Sequence, residues 1–309
     1  MFVKGDNLLI NRLIQKLRNS ARLRMLLQGH FLTLIPLLYR IGHFYSPIVS
    51  PGEVKARESY LWAKTNSMGG IDLRELQQLE LLDMLAPFAQ TINYPVEKPK
   101  AEVGYFYAND QFPVLDAEFL HVFLCHLKPK TMIEVGSGFS SLVSAHVNQL
   151  LLGGSLNFTC IEPYPRQFLI DGVAGITRLI QRKVEDIELE YFDNLESGDI
   201  LFIDSSHVSK TGSDVNYLFF EVFPRLQQGV YVHIHDIFLP DEYPREWVIE
   251  QGRNWNEQYV LRAFLQFNTE WEVVWAANFM GTRHRAIVNK VFPRFPHLGS
   301  GGSFWIRRR

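Results

Sequence analysis

Residues able to do chemistry gather at a few points of the 309-residue chain. Glu134 ends the apolar run TMIEV, residues 131–135, and is followed by Gly136-Ser137-Gly138. A Gly-x-Gly turn lets the backbone bend tightly and approach a ligand, and the helix that follows offers free N–H groups. A second apolar run closes on Glu162 in CIEP, where a carboxylate can accept hydrogen bonds from ribose hydroxyls. Asp204 and His207 follow the run DILFI, and His233, His235 and Asp236 finish GVYVHIHD. Carboxylates beside imidazoles can take a proton from a hydroxyl, or hold a divalent ion such as Mg²⁺ or Mn²⁺ that lowers the hydroxyl's pKa.

These residues need elements to bring them together, and the pattern from about Ala101 supplies them. Strands are expected at residues 131–135, 156–161, 177–180, 199–203 and 229–234, with a final pair at 272–277 and 303–307. Helices are expected at 140–152, stopped by Gly153-Gly154, at 215–226 and at 256–268. Continuous apolar strands alternating with helices indicate an α/β fold. The expectation is a Rossmann-like, doubly wound, mostly parallel seven-stranded sheet with helices on both faces. Neighbouring parallel strands lie about 4.8 Å apart, so acids ending several of them converge on one edge. Ligands of such sheets bind beyond that carboxyl edge. Residues 1–100 read as a helical N-terminal extension, with a periodic helix at 73–88 and a linker at 94–99, and residues 101–309 as the binding domain.

The glycine loop narrows the cofactor. A dinucleotide fingerprint wants a third glycine where Ser141 stands, and no Gly-x-x-x-x-Gly-Lys-Ser/Thr occurs anywhere. Tyr-x-x-x-Lys, at Tyr60 to Lys64 and again at Tyr94 to Lys98, lies upstream of the loop. A carboxylate immediately before the loop argues against a pyrophosphate and for a cationic ligand. With IEVGSG (133–138), CIEP (160–163), Glu185-Asp186, DILFIDSSH (199–207) and HIHDIF (233–238) in order, the sequence resembles the class I S-adenosylmethionine-dependent methyltransferases. It is most similar to a bacterial branch acting on small molecules or saccharides, and the likeness covers about Tyr105 to the C-terminus.

The resemblance implies that Glu134, Gly136, Ser137 and Gly138 contact the methionine part of S-adenosylmethionine. It implies that Glu162 holds the ribose, that Glu185 or Asp186 lies near the adenine, and that Asp204 sits beside the transferred methyl. Metal-dependent O-methyltransferases of this kind bind their ion at acids on these two strand ends, which points to Asp204, His235 and Asp236 as metal ligands. His235-Asp236 departs from the usual pair of acids. The catalytic set expected is His207 as general base with Asp204 and Asp236, while His233 reads as a buried, hydrogen-bonded strand residue. The expected reaction is O-methylation of a small-molecule or saccharide hydroxyl. The alternatives are an NAD- or nucleotide-sugar-binding oxidoreductase and a non-catalytic assembly subunit of the same fold.

Composition bounds the partners. A net charge of -2 gives no reason to expect nucleic acid. Two well-separated cysteines, Cys125 and Cys160, read as free thiols in a reducing, cytoplasmic setting. Lys4, Arg12, Lys16, Arg18, Arg22, Arg24 and Arg40 face a single acid, Asp6, over the first forty residues, around an apolar helical stripe. That stripe suits packing on the protein's own body or on a second subunit, with peripheral contact to an anionic membrane as the alternative. Residues 25–45 are interrupted by His30, Pro36, Arg40 and His43 and make a poor membrane span. Tyr243, Trp247, Trp255 and Tyr259, with Arg253, Asn254 and Asn256, stand where a cap over the substrate would form, and stacking plus hydrogen bonds suit a polyhydroxyl ring. Residues 109–116 are expected to close over the cofactor, and Arg307-Arg308-Arg309 to form a solvated tail.

Overall fold

The computed structural model describes residues 42–63, 67–99, 103–295 and 301–309. The basic stretch at the N-terminus lies outside the described residues up to position 41. Seven strands form one sheet: β1 (Thr131–Val135), β2 (Asn157–Ile161), β3 (Arg178–Ile180), β4 (Ile200–Ile203), β5 (Tyr231–Ile234), β6 (Trp271–Ala276) and β7 (Phe304–Arg308). Their order is β3-β2-β1-β4-β5-β7-β6. The first five are parallel, and β7 runs antiparallel to both β5 and β6. The sheet is thus mostly parallel, as the sequence implies.

Side-chain alternation buries both faces. Ile200 and Phe202 of β4 enter one apolar cluster together with Phe158, Trp275 and Trp305. Leu201 and Ile203 enter the other, with Ile133, Val135, Val232 and Ile234. A period of two with apolar residues in both phases is what a sheet covered on both sides requires. Four helices matter here: α1 (Glu75–Leu85), α2 (Val114–Leu127), α3 (Phe139–Leu150) and α4 (Glu257–Leu265). Helix α3 starts directly after the glycine turn, and Gly153 and Gly154 follow its end at φ +64° and +76°. The helix expected over 215–226 is instead a short α-turn, a π-turn (Leu218–Val222) and a 3₁₀ turn (Phe223–Arg225). Pro224 supplies no N–H for a regular ladder there.

Helix α2 was not expected. Its residues 114–125 are all buried, so it shows little polar face and no helical stripe in the sequence. The segment 94–99, read as a linker, is held in place. Tyr94 is buried and hydrogen-bonded to His121, and the carbonyls of Pro95 and Val96 accept from the N–H groups of Tyr107 and Ala108. Leu81, Leu82 and Leu85 of α1 join the same core cluster as α2. Nor is the C-terminal arginine run a solvated tail: Arg307 and Arg308 belong to β7, and Arg307 and Arg309 pair with Glu272 of β6.

Candidate active site

The sheet order places the expected acids side by side. β2, β1, β4 and β5 are consecutive neighbours, so Glu162, the glycine turn, Asp204 and Asp236 follow one another along the carboxyl edge. The strand order reverses between β1 and β4, the point at which open α/β sheets open a crevice. A cleft of about 730 Å³ lies there, lined among others by Gly136, Ser137, Gly138, Glu162, Asp204, His207 and Asp236. A second hollow of about 440 Å³ continues it over Glu162, Pro163, Tyr164 and Glu185, and shares Gly136, Asp204 and Ser205 with the first.

Gly136 turns the chain at φ +79°, and a Cβ there would stand 1.8 Å from the Asp204 carbonyl oxygen. Only glycine lets β1's loop lie against β4's end. Glu162 holds the loop from the other side, accepting from Ser137 N at 3.1 Å and from Tyr164 N at 2.7 Å.

Glu134 is placed otherwise than the resemblance implies. Its side chain is fully buried beneath the loop and accepts from the hydroxyls of Ser140 (2.6 Å) and Ser141 (2.5 Å) on α3. Ser141 Oγ in turn accepts from Gly138 N. Burial raises the Glu134 carboxyl to about 7 against those hydrogen bonds. Glu134 therefore fixes the start of α3 and reaches the cleft only through the loop that it braces. The residue standing where a third glycine would be, Ser141, is used to tie strand to helix. Of the pair near the expected adenine site, Glu185 lines the second hollow, and Asp186 is not among its lining residues.

Four ionisable side chains meet at the ends of β4 and β5. His207 Nε2 lies 3.4 Å from Asp204 Oδ1 and 3.5 Å from Asp236 Oδ2, and its Nδ1 donates to Glu257 Oε2 of α4 at 2.9 Å. Burial alone would lower the imidazole's pKa. The hydrogen bonds to Asp204 and Glu257 and the charges of Glu257 and Asp236 outweigh it and raise His207 to about 10. In this state His207 is a donor, and its Nε2 would have to give up its proton before serving either as the expected general base or as a metal ligand. His235 is also held charged: burial is outweighed by the charges of Asp204 and Asp236 and by a hydrogen bond to Asp116. Its Nε2 donates to Asp116 Oδ2 at 3.1 Å, while Nδ1 faces Asp204 and Asp236. The two acids differ. Burial raises Asp236 against its histidine neighbours, whereas the His235 and His207 interactions overcome burial at Asp204 and hold it well below the usual carboxylate range.

Among the described residues, Asp204, His207 and Asp236 bring one ligand atom each within 4.8 Å of one another. His207 thus takes the place in the triad expected for His235. The local backbone explains why: His207 and Asp236 adopt φ +60° and +55°, which turns both toward the cleft, while His235 is anchored by Asp116. Two carboxylates at the cleft wall, with the imidazole once its proton has left, suit a divalent ion. His233 is buried, stacked on Phe202 at 3.7 Å and paired with Ser303 Oγ.

Two residues with no sequence signal complete the site, Asp116 and Glu257. Asp116 of α2 accepts from Gly302 N (2.7 Å), Ser303 N (3.0 Å) and His235. Of the expected aromatic cap, Trp247 and Trp255 line the cleft. Tyr243 packs beneath, accepting from Gln258 N, and Tyr259 donates outward to Glu242. Asn254 and Asn256 are occupied with Val49 and Ser209. Residues 109–113 do border the cleft.

With this geometry in place, comparison with known proteins assigns the class. A family model described as a methyltransferase domain matches residues 133–237, which run from β1 past Asp236. An uncharacterized protein of Archaeoglobus fulgidus is 35% identical over 161 residues, covering 50% of this chain and 72% of that one. Structures similar to this chain include the O-methyltransferase TomG from Streptomyces achromogenes with S-adenosylmethionine (16% identity, TM-score 0.38, covering 83% of this chain and 96% of that one). The S-adenosylhomocysteine-bound methyltransferase PaMTH1 of Podospora anserina is similar at 17% identity and TM-score 0.41, with the same coverages of 83% and 96%. Residues 133–237 thus carry a methyltransferase domain, a match that supports placing the chain among the class I S-adenosylmethionine-dependent methyltransferases.

Proposed function

We propose that this methyltransferase acts on a hydroxyl of a small molecule or saccharide, in the reducing cytoplasm that two free, buried cysteines suit. The observation that carries the reading is the meeting of Asp204, His207 and Asp236 beside the Gly136–Gly138 loop in one cleft. The loop and Glu162 would hold S-adenosylmethionine, with Glu185 toward the base, and the cofactor would supply an electrophilic methyl. Asp204, His207 and Asp236 would hold a divalent ion, which would supply Lewis-acid lowering of the hydroxyl's pKa.

The chain's own residues align and deprotonate. Asp204, ionised and at the end of β4, accepts a hydrogen bond from the acceptor hydroxyl. In the absence of an ion, Asp236, whose carboxyl burial raises, takes the proton. Glu257 orients His207, in the manner of a carboxylate behind a ligating imidazole, and Asp116 does the same for His235. Trp247 and Trp255 wall the acceptor side and exclude water. Alignment of the reacting atoms provides most of the acceleration.

Calorimetric titration with S-adenosylhomocysteine, NAD and Mn²⁺ tests this reading. Binding of the first and third, with none of NAD, is expected. Tight NAD binding without S-adenosylhomocysteine binding would overturn it. Undiminished transfer after exhaustive chelation would remove the ion and leave the acid pair alone.

A further inference from the structure

Arg253 lines the cleft, as does Arg166, and of the two it is the one that lies against a pair of indoles. Its guanidinium carbon lies 4.0 Å from the ring centre of Trp247 and 4.6 Å from that of Trp255, and all three residues line the cleft. Trp255 in turn lies against the His207 ring at 4.3 Å. One indole therefore links the guanidinium to the reacting cluster. Among the described residues no carboxylate pairs with Arg253, although Arg245, nearby in sequence, is held by Glu58 and Glu250. The acids nearest the chemistry, Asp204 and Asp236, are already engaged by His207 and His235.

A guanidinium seated in the corner of two indoles that meet nearly at right angles, 5.3 Å between ring centres, is restrained in rotamer and loses part of its hydration, while the N–H groups at its edge stay in plane. That is a preorganised fork for a planar anion, and a bidentate carboxylate matches it best. We propose that Arg253 recognises a carboxylate, or an equivalent oxyanion, on the acceptor, so that the substrate class is a hydroxylated acid rather than a neutral polyol. The inference rests on the methyltransferase reading and deepens it. The flat surfaces of Trp247 and Trp255 would contact the ring or chain joining the anion to the hydroxyl, and separation between the two groups would set which hydroxyl reaches Asp204. A cation that only glued the aromatic cover together would show no such preference for charge in the ligand.

The test uses full-length protein saturated with S-adenosylhomocysteine and titrated with benzoate or benzamide, which share shape and differ in charge. Benzoate is expected to bind at least tenfold more tightly than benzamide. Arg253→Gln should erase the difference, and Arg253→Lys, which keeps the charge but not the fork, should weaken benzoate several-fold. Both variants should keep the wild-type affinity for S-adenosylhomocysteine. Equal or absent binding of the two probes, or benzoate binding unchanged by Arg253→Gln, overturns the inference. So does loss of S-adenosylhomocysteine affinity in both variants, which would make Arg253 a cofactor or framework residue. If the wild-type protein fails to bind S-adenosylhomocysteine, the methyltransferase reading itself falls, an outcome separable from all of these.

Discussion

Asp204 and Asp236 have the same side chain and sit on adjacent strands, yet their surroundings push them apart. Asp204 receives the net attraction of two imidazoles, and Asp236 keeps more of its burial penalty. Such splitting of a carboxylate pair is how a protein provides both an ionised anchor and a proton acceptor at one pH. Asp236→Asn should therefore lower kcat by about 10²–10⁴-fold. Its affinity for S-adenosylhomocysteine should stay within about threefold of wild type, since a removed proton acceptor costs rate and not cofactor binding. Labelled-methyl transfer and calorimetry on the same preparation check this. A variant with near-normal kcat would transfer the proton role to another group. The sequence shows Asp204, His207 and Asp236 as residues, because each ends or follows an apolar strand. It does not show Glu257 or Asp116, which meet their histidines from 50 and 119 positions away. Nor does it show that Glu134 turns inward, since that depends on two serine hydroxyls a turn into the following helix.

At the scale of elements, α2 joins the site to the sheet. Asp116 binds two backbone N–H groups just before β7 and one histidine just after β5. Asp116→Ala would leave all three unpaired in the interior, at a cost of about 3–5 kcal/mol. Urea unfolding should show that loss, and Asp116→Asn should recover part of it. Farther along α2, His121 is buried and neutral, taking a hydrogen bond from the Tyr94 hydroxyl and donating to Thr91. Burial, aided by nearby His146, lowers its pKa from the usual 6.5 to about 4. Between those values the unfolded chain binds the extra proton and the folded one does not, so stability rises with pH from about 4 to 6.5 and is lost as pH falls. His121→Gln should flatten that part of the profile in urea midpoints measured from pH 4.5 to 7.5. Strands of the parallel half were legible in the sequence because continuous apolar runs ending in Gly, Asp or Glu have few other readings. α2 was not, because a helix buried on every side carries no periodic contrast.

For the whole molecule, the cleft and its continuation over Glu162 and Glu185 form a bipartite site along one edge. A ligand that fills both parts stabilises the folded state by mass action. S-adenosylhomocysteine at a hundredfold its Kd should raise Tm by roughly 4–5 °C. NAD at equal concentration should leave Tm unchanged, because the turn has no third glycine at Ser141 to let helix and strand pack closely around a pyrophosphate. Scanning calorimetry decides between them. No described helix is long and apolar enough to cross a membrane.

β7 separates β5 from β6, and β6 meets the rest of the sheet only through it. A transient release of that one strand would bare two apolar ladders at once, Val232 and Ile234 on one side and Val273 and Trp275 on the other. Exposed edges of this kind recruit strands from other molecules. Self-association on mild heating should begin at this seam, and tightening Asp116's grip on Gly302 and Ser303 should delay precipitation as well as preserve turnover.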